Sequence, residues 1–193
     1  MDFIEKVKGF LLEPGKTFEV LKEEPLKEAV KYYVIIATIY SAISALLLAF
    51  AGNLVDAMMG IGNFGTMLDA NARIGVAISI FVLFMIIAIA GAFIGGAILH
   101  IFVLIVGGSR GIVQTIKVVM YGNTAFLLFS WIPISIIIAA TFSYSMGAEI
   151  YGIHKLHEFT IRKAFMAVFL PIIILIILTI LYISIFPMNP ILQ

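Results

Sequence analysis

Residues 74–106 form a run of 33 positions without a single aspartate, glutamate, lysine or arginine, and His100 is its only ionisable side chain. As one helix the run would be roughly 50 Å long, against a bilayer hydrocarbon core of about 30 Å. So long an uncharged stretch belongs in lipid, where a helix satisfies its own backbone polar groups. Two arrangements remain. It is either a single helix, tilted, kinked near residues 91–96 or projecting, or a tight hairpin that reverses at those glycines.

The rest of the chain agrees with a membrane solvent. Charged residues make up 12% of the 193 positions, about half the roughly 25% of a soluble domain and too few to coat one. Four more apolar runs, at about 30–51, 113–131, 133–153 and 164–186, bring the number of expected spans to five. The expected fold is an all-α integral membrane protein, a bundle of five transmembrane helices preceded by short amphipathic surface helices. In residues 1–29, Phe3, Ile4, Val7, Phe10 and Leu11 recur at helical spacing, with Glu5, Lys6 and Lys8 opposite, and Pro14 ends the pattern. Thr17 can cap a second short turn carrying Phe18 and Leu21. Pieces this short cannot cross a bilayer, so they are expected to lie on its surface, with Phe3, Val7 and Phe10 facing lipid or the bundle and serving as a docking face. Pro25 suits the first turn of the first membrane helix. Residues 187–193 are expected to be a short external tail.

Basic residues choose between the two arrangements of the long run, because lysine and arginine are retained on the cytoplasmic side. With five spans, 11 basic residues are cytoplasmic and Arg73 alone is external; a hairpin makes the division 6 and 6. The five-span topology follows, with a cytoplasmic N-terminus and an external C-terminus. The net charge of +1 offers no basis for nucleic-acid binding. Zero cysteines exclude disulfides, thiolate metal sites and cysteine nucleophiles.

Several signatures fail on context. Gly60-Ile61-Gly62-Asn63-Phe64-Gly65 spells a dinucleotide fingerprint, but it sits between membrane spans, without the strand and helix that make it work. Gly107-Gly108-Ser109-Arg110-Gly111 spells a nucleophile elbow without a strand, and no aspartate follows it. His154, His157 and Glu158 fall short of a metal-ligand set, and Met58, Met59 and Met67 read as apolar packing. No catalytic residue, metal or cofactor is assigned.

Two constellations remain. Gly91, Gly95 and Gly96 form a small-residue notch, which serves either a seam between two copies or contact with the chain's own neighbouring helix. His100, Lys117 and Glu149 lie within about 10 Å of one membrane face, counted at 1.5 Å per residue along successive spans, and Tyr121, one turn beyond Lys117, extends the same face. Lys117 and Glu149 are expected to face each other there, with His100 sharing their pocket. Ionisable groups at membrane depth are functional by default; a structural ion pair, or a lysine reaching headgroup water, is the competing account.

The N-terminal Phe10-Leu11-Leu12-Glu13-Pro14 with Thr17, Phe18 and Leu21 resembles the opening of the prokaryotic branch of the Yip-domain family. These are five-span membrane proteins named for interaction with Ypt/Rab GTPases. Gly107-Gly108 with Gln114, Thr115 and Tyr121, and Gly152-Ile153 with His157, Lys163-Ala164 and Pro171, resemble its later segments. The longer cytosolic N-terminal region and the Asp-Leu…Gly-Pro motif of eukaryotic members are not matched, so Rab binding is not carried over. The resemblance implies a bacterial or archaeal plasma-membrane protein and a non-enzymatic scaffold or adaptor. Such a scaffold would bind the lipid bilayer and a protein partner at the cytoplasmic face, and would self-associate if the glycine notch is a seam. The alternative is a small transporter or channel subunit with a polar path through His100, Lys117 and Glu149. A membrane-embedded hydrolase would need a metal or nucleophile at that depth.

Overall fold

The computed structural model describes residues 1–59 and 72–185, and these form helices with no strand. In chain order they are α1 (Phe3–Leu12), α2 (Pro14–Val20), α3 (Leu26–Phe50), α4 (Gly52–Met59), α5 (Ala72–Ile105), α6 (Ile112–Gly122), α7 (Thr124–Phe129), α8 (Ser135–Leu156) and α9 (Ile161–Ile185). Five stretches are long and apolar enough to cross a membrane: α3, α5, α6 continued by α7, α8 and α9. The protein is an integral membrane protein. The glycine run 60–65, Met67 and the tail 187–193 lie outside the described residues, as does the side chain of Met59.

The long charge-free run is one helix of 34 residues, about 51 Å at standard rise, and it does not reverse at the glycines. It stops where the sequence spells the elbow look-alike. Gly107 takes a positive φ of 93°, and the Gly108 N–H donates to the Val103 carbonyl at 2.8 Å, the bond pattern of a glycine-terminated helix. A Cβ at Gly108 would lie 2.5 Å from Val103 Cγ1, so that position has no room for a side chain, and at Gly107 the left-handed backbone is what favours glycine. The look-alike is a helix stop.

At the centre stands α6, buried on every side from Thr115 through Gly122, with α7 continuing it after a break at Asn123. Around it, α3 packs on α5, α5 on α9, and α9 on α8, while α3, α5 and α8 each touch α6. This arc leaves the gap between α3 and α8 open. Helices α1 and α2 fill it, α1 against α7 and α2 against α8.

Of the two placements expected for their apolar face, lipid or the bundle, the N-terminal helices take the bundle. Phe10 and Phe18 are 1% and 0% exposed. Phe10 stacks on Tyr121 with ring centroids 4.8 Å apart and meets Phe18 edge-on at 4.9 Å, and Phe3 lies 5.5 Å from the Tyr32 ring. The amphipathic face is real, but it faces the uncovered side of α6. Locally the sequence supports both pieces. Asp2 and Glu5 cap α1 reciprocally, each side-chain oxygen accepting the other's amide at 2.8 Å. Pro14 begins α2, where a missing N–H costs nothing. Gly152 makes the close approach possible, since a Cβ there would be 2.8 Å from both Phe18 Cζ and Val118 Cγ1. The Tyr144 hydroxyl donates to the carbonyls of Phe10 and Leu11 at 3.0 and 2.9 Å, tying the end of α1 to α8. We refer to this end of the bundle as the capped end.

Candidate functional site

Polar side chains buried toward the capped end fall into three separate groups, one on the Lys117 and Tyr121 face of α6 and two at different levels of the opposite face. At 100° per residue, Tyr121 lies about 40° around the helix from Lys117, while Gly122 lies about 140° away and on the same face as Thr115.

The Lys117 and Tyr121 face meets the turn between α2 and α3. The Lys117 ammonium, 1% exposed, donates to the carbonyls of Lys22 and Glu24 at 2.8 and 2.7 Å. The Glu24 carboxylate accepts from the Lys6 ammonium and from the Tyr121 hydroxyl. Burial opposes the charge on Glu24, but the hydrogen bonds from Lys6 and Tyr121 and the charges of Lys6 and Lys117 outweigh it, and its pKa is lowered. One carboxylate thus binds α1, α6 and the entry to α3.

The opposite face forms the second group at Thr115. Its hydroxyl lies 2.8 Å from His100 Nδ1 on α5 and 2.9 Å from His157 Nε2 at the end of α8. A hydroxyl has one proton, so it donates to at most one of the two imidazoles, and the other must present an N–H to it; the two tautomers are coupled. His157 Nδ1 is buried and makes no hydrogen bond among the described residues. Burial, then the nearby charges of His100 and Arg110, hold the His157 pKa down at about 4. His157 is therefore neutral in the fold.

Farther along that face is Glu149. A Cβ at Gly122 would fall 2.7 Å from Glu149 Cγ, so the glycine gives the carboxylate its place beside α6. The Asn123 side-chain amide donates to Glu149 at 3.3 Å and to the Val119 carbonyl at 2.8 Å. Asn123 occupies the break between α6 and α7, where the Phe126 amide donates to Ser145 Oγ at 3.3 Å. The break turns backbone and side-chain donors toward α8.

At the rim, Glu158 takes both the Lys22 ammonium and the Arg110 guanidinium. It does so from a left-handed backbone position with φ of 56°, just past the end of α8. Hydrogen bonds from Lys22 and then Arg110 pull its pKa down to about 2. Glu19 on α2 pairs with Lys155 on α8 at 2.7 Å, which lowers its pKa as well.

In the expected polar cluster the partners differ from those expected. Lys117 and Glu149 both turn into the bundle, yet they do not meet: Lys117 is held by the 22–24 turn and Glu149 by Asn123. His100 joins neither and pairs with Thr115. Tyr121 alone shares a network with Lys117, through Glu24. Phe3, Val7 and Phe10 pack into or against the core and so are not free as an exposed docking face. Among the notch glycines only Gly96 makes a close approach, its Cβ position 3.1 Å from Ile116 Cα; Gly91 and Gly95 have nothing within 4 Å.

Glu24, Thr115 and Asn123 are organising residues that the expected polar cluster did not include. Glu24 stands beside the proline that opens α3, and a carboxylate at the mouth of a membrane helix is the signal that could have drawn attention to it. His154, His157 and Glu158 turn to three different partners. Among the described residues no three metal-ligating side chains gather.

No curated protein and no solved structure matches the chain. The family model for the Yip1 domain matches residues 8–183, a stretch that includes α2, α3, the central α6, and nearly all of α9. By that match the chain belongs to the Yip1 domain family.

Proposed function

We propose that this non-enzymatic membrane scaffold turns its capped end to the cytoplasm and holds a soluble protein partner there. The carrying observation is the Glu24 node. It joins Lys6 of α1, Tyr121 of α6 and, through the carbonyls bound by Lys117, the turn into α3. Helices α1 and α2 are thereby positioned as part of the bundle, and the charges on their outer side hold fixed places. Lys8, Glu13, Lys16, Glu23 and Lys27 are exposed on this cap. The same end supports the orientation: Lys22, Arg110 and Lys155 all form ion pairs within the cap or its neighbouring loops, while Arg73 lies at the far end of α5. Basic residues gathered at one end favour the cytoplasm.

The test is crosslinking and pull-down from native membranes, with Lys16→Glu and Glu23→Lys as charge reversals on the exposed rim. Both should lower recovery of a cytosolic partner while the bundle unfolds at its normal temperature. Unchanged recovery after both reversals would contradict a partner surface on the cap. A reporter fused at residues 154–163 and reading external would contradict the orientation. What weighs against the transporter alternative is that, among the described residues, His100, Lys117 and Glu149 belong to three separate groups.

A further inference from the structure

Past the close contact of Gly96 with Ile116, α5 and α6 diverge and leave a cavity of about 330 Å³ bounded by α5, α6, α8 and α9. Its walls include Gly91, Gly95, Leu99, Met146 and Pro171, and Asn123, Ser145 and Glu149 are its polar groups. Binding sites for small molecules have this make-up, mostly apolar walls with a few convergent polar groups, and start at about 300 Å³. Glu149 retains part of its accessible surface while lining this space. Among the described residues its carboxylate has one hydrogen bond, the 3.3 Å contact from Asn123, and no ion-pair partner. The lining residues Ile98 and Phe142 are 49% and 54% exposed on the outer face of the bundle, so the cavity opens sideways, toward lipid. Gly91 and Gly95 have no atom within 4 Å of a Cβ position, which leaves the opening unobstructed.

We propose that this cavity binds an amphiphile carrying a protonated primary amine, with the ammonium against Glu149 and Asn123 and the alkyl chain along Leu99, Met146 and Pro171. Charge complementarity selects the amine. A carboxylate in apolar surroundings without a cationic partner is costly, and an ammonium supplies both the charge and the donors that the second oxygen lacks. The apolar walls select the alkyl chain. Glu149 lies about 10 Å along α8 from its capped end, counted over the seven residues to Leu156. A free alkylamine reaches that depth from the lipid side, and so does an ethanolamine phospholipid whose headgroup sinks inward.

The probe is octylamine, compared with octanol, added to the purified protein in detergent near neutral pH, with thermal unfolding as the readout. Octylamine should raise the unfolding temperature by a few degrees more than octanol. Glu149→Gln should remove the difference while keeping the octanol response, and Gly95→Leu, which fills the cavity from an unobstructed position, should remove both responses. Retention of ethanolamine over choline phospholipid in purified wild-type protein, lost in Glu149→Gln, would identify the lipid as the source; equal retention would leave the free amine. Equal shifts with octylamine and octanol in the wild type would overturn the proposal. So would an amine preference that survives Glu149→Gln or Gly95→Leu.

Discussion

Glu24 illustrates how one side chain can stand for an entire contact. It is partly buried, its partner Lys6 more so, with side chains 18% and 7% exposed, and a glutamine there removes the charge and leaves one acceptor oxygen for two donors, Lys6 and Tyr121. Hydrogen bonds to charged groups contribute roughly 1.5–3 kcal/mol each in mutational series. Glu24→Gln is therefore expected to cost about 2–3 kcal/mol in detergent unfolding. Lys6→Met combined with Glu24→Gln should cost less than the two single changes added, because the partners act as a unit. Simple additivity would mean that the pair does not hold α1. His157 gives a pH signature. The unfolded imidazole takes its proton near 6.5 and the folded one near 4, so between those values the unfolded chain carries more protons. Stability should fall as pH is lowered from about 6.5 to about 4, and His157→Gln should flatten that slope. The carboxylates Glu19, Glu24 and Glu158 have lowered pKa values. Their contribution is complete above their ordinary value near 4.5 and is lost below it, for Glu158 as pH approaches about 2. The side of the bundle was legible from the sequence, since these polar residues all lie toward the capped end. Level and azimuth were not: Lys117 points to the 22–24 turn, while Glu149 meets the face of Gly122, about 7.5 Å farther along α6.

Among the helices, α5 was the most legible, since a charge-free run has few alternatives and the distribution of basic residues excludes the hairpin. Helix α1 was half legible. Its periodicity defines an apolar face, but the pattern is the same whether that face meets lipid or the chain's own α6. Lys6 shows the limit most clearly: it reads as part of the polar face with Glu5 and Lys8, yet it is 6% exposed because Glu24 draws it inward. The glycines separate packing from space. Gly152→Ala should destabilise by about 1–3 kcal/mol, the usual cost of overpacking a filled core, because Phe18 and Val118 already occupy the Cβ position. Gly91→Ala should be neutral or slightly stabilising, since nothing is within 4 Å and alanine is the better helix former by about 1 kcal/mol. Unfolding of the two variants under one set of conditions checks both, and equal effects would contradict the packing described.

For the whole molecule, four helices wrap the central α6 incompletely and the N-terminal pair closes the arc. Family membership in the Yip1 domain covers that pair in part, from residue 8 onward, so the docked cap belongs to the matched region. The scaffold reading depends on the cap being a fixed part of the bundle, and a helix merely adsorbed to the bilayer would satisfy the same hydrophobic pattern. Residues 15 and 151 distinguish the two. A Cβ at Gly15 would lie 3.3 Å from Tyr151 Cδ1, and the chain has no native cysteine to compete. The decisive measurement is oxidative crosslinking of the double variant Gly15→Cys with Tyr151→Cys in intact membranes. An intramolecular disulfide forming in high yield, and falling when Glu24→Gln is added, is the expected result. Free thiols under the same oxidant, or disulfides formed only between molecules, would contradict a docked cap.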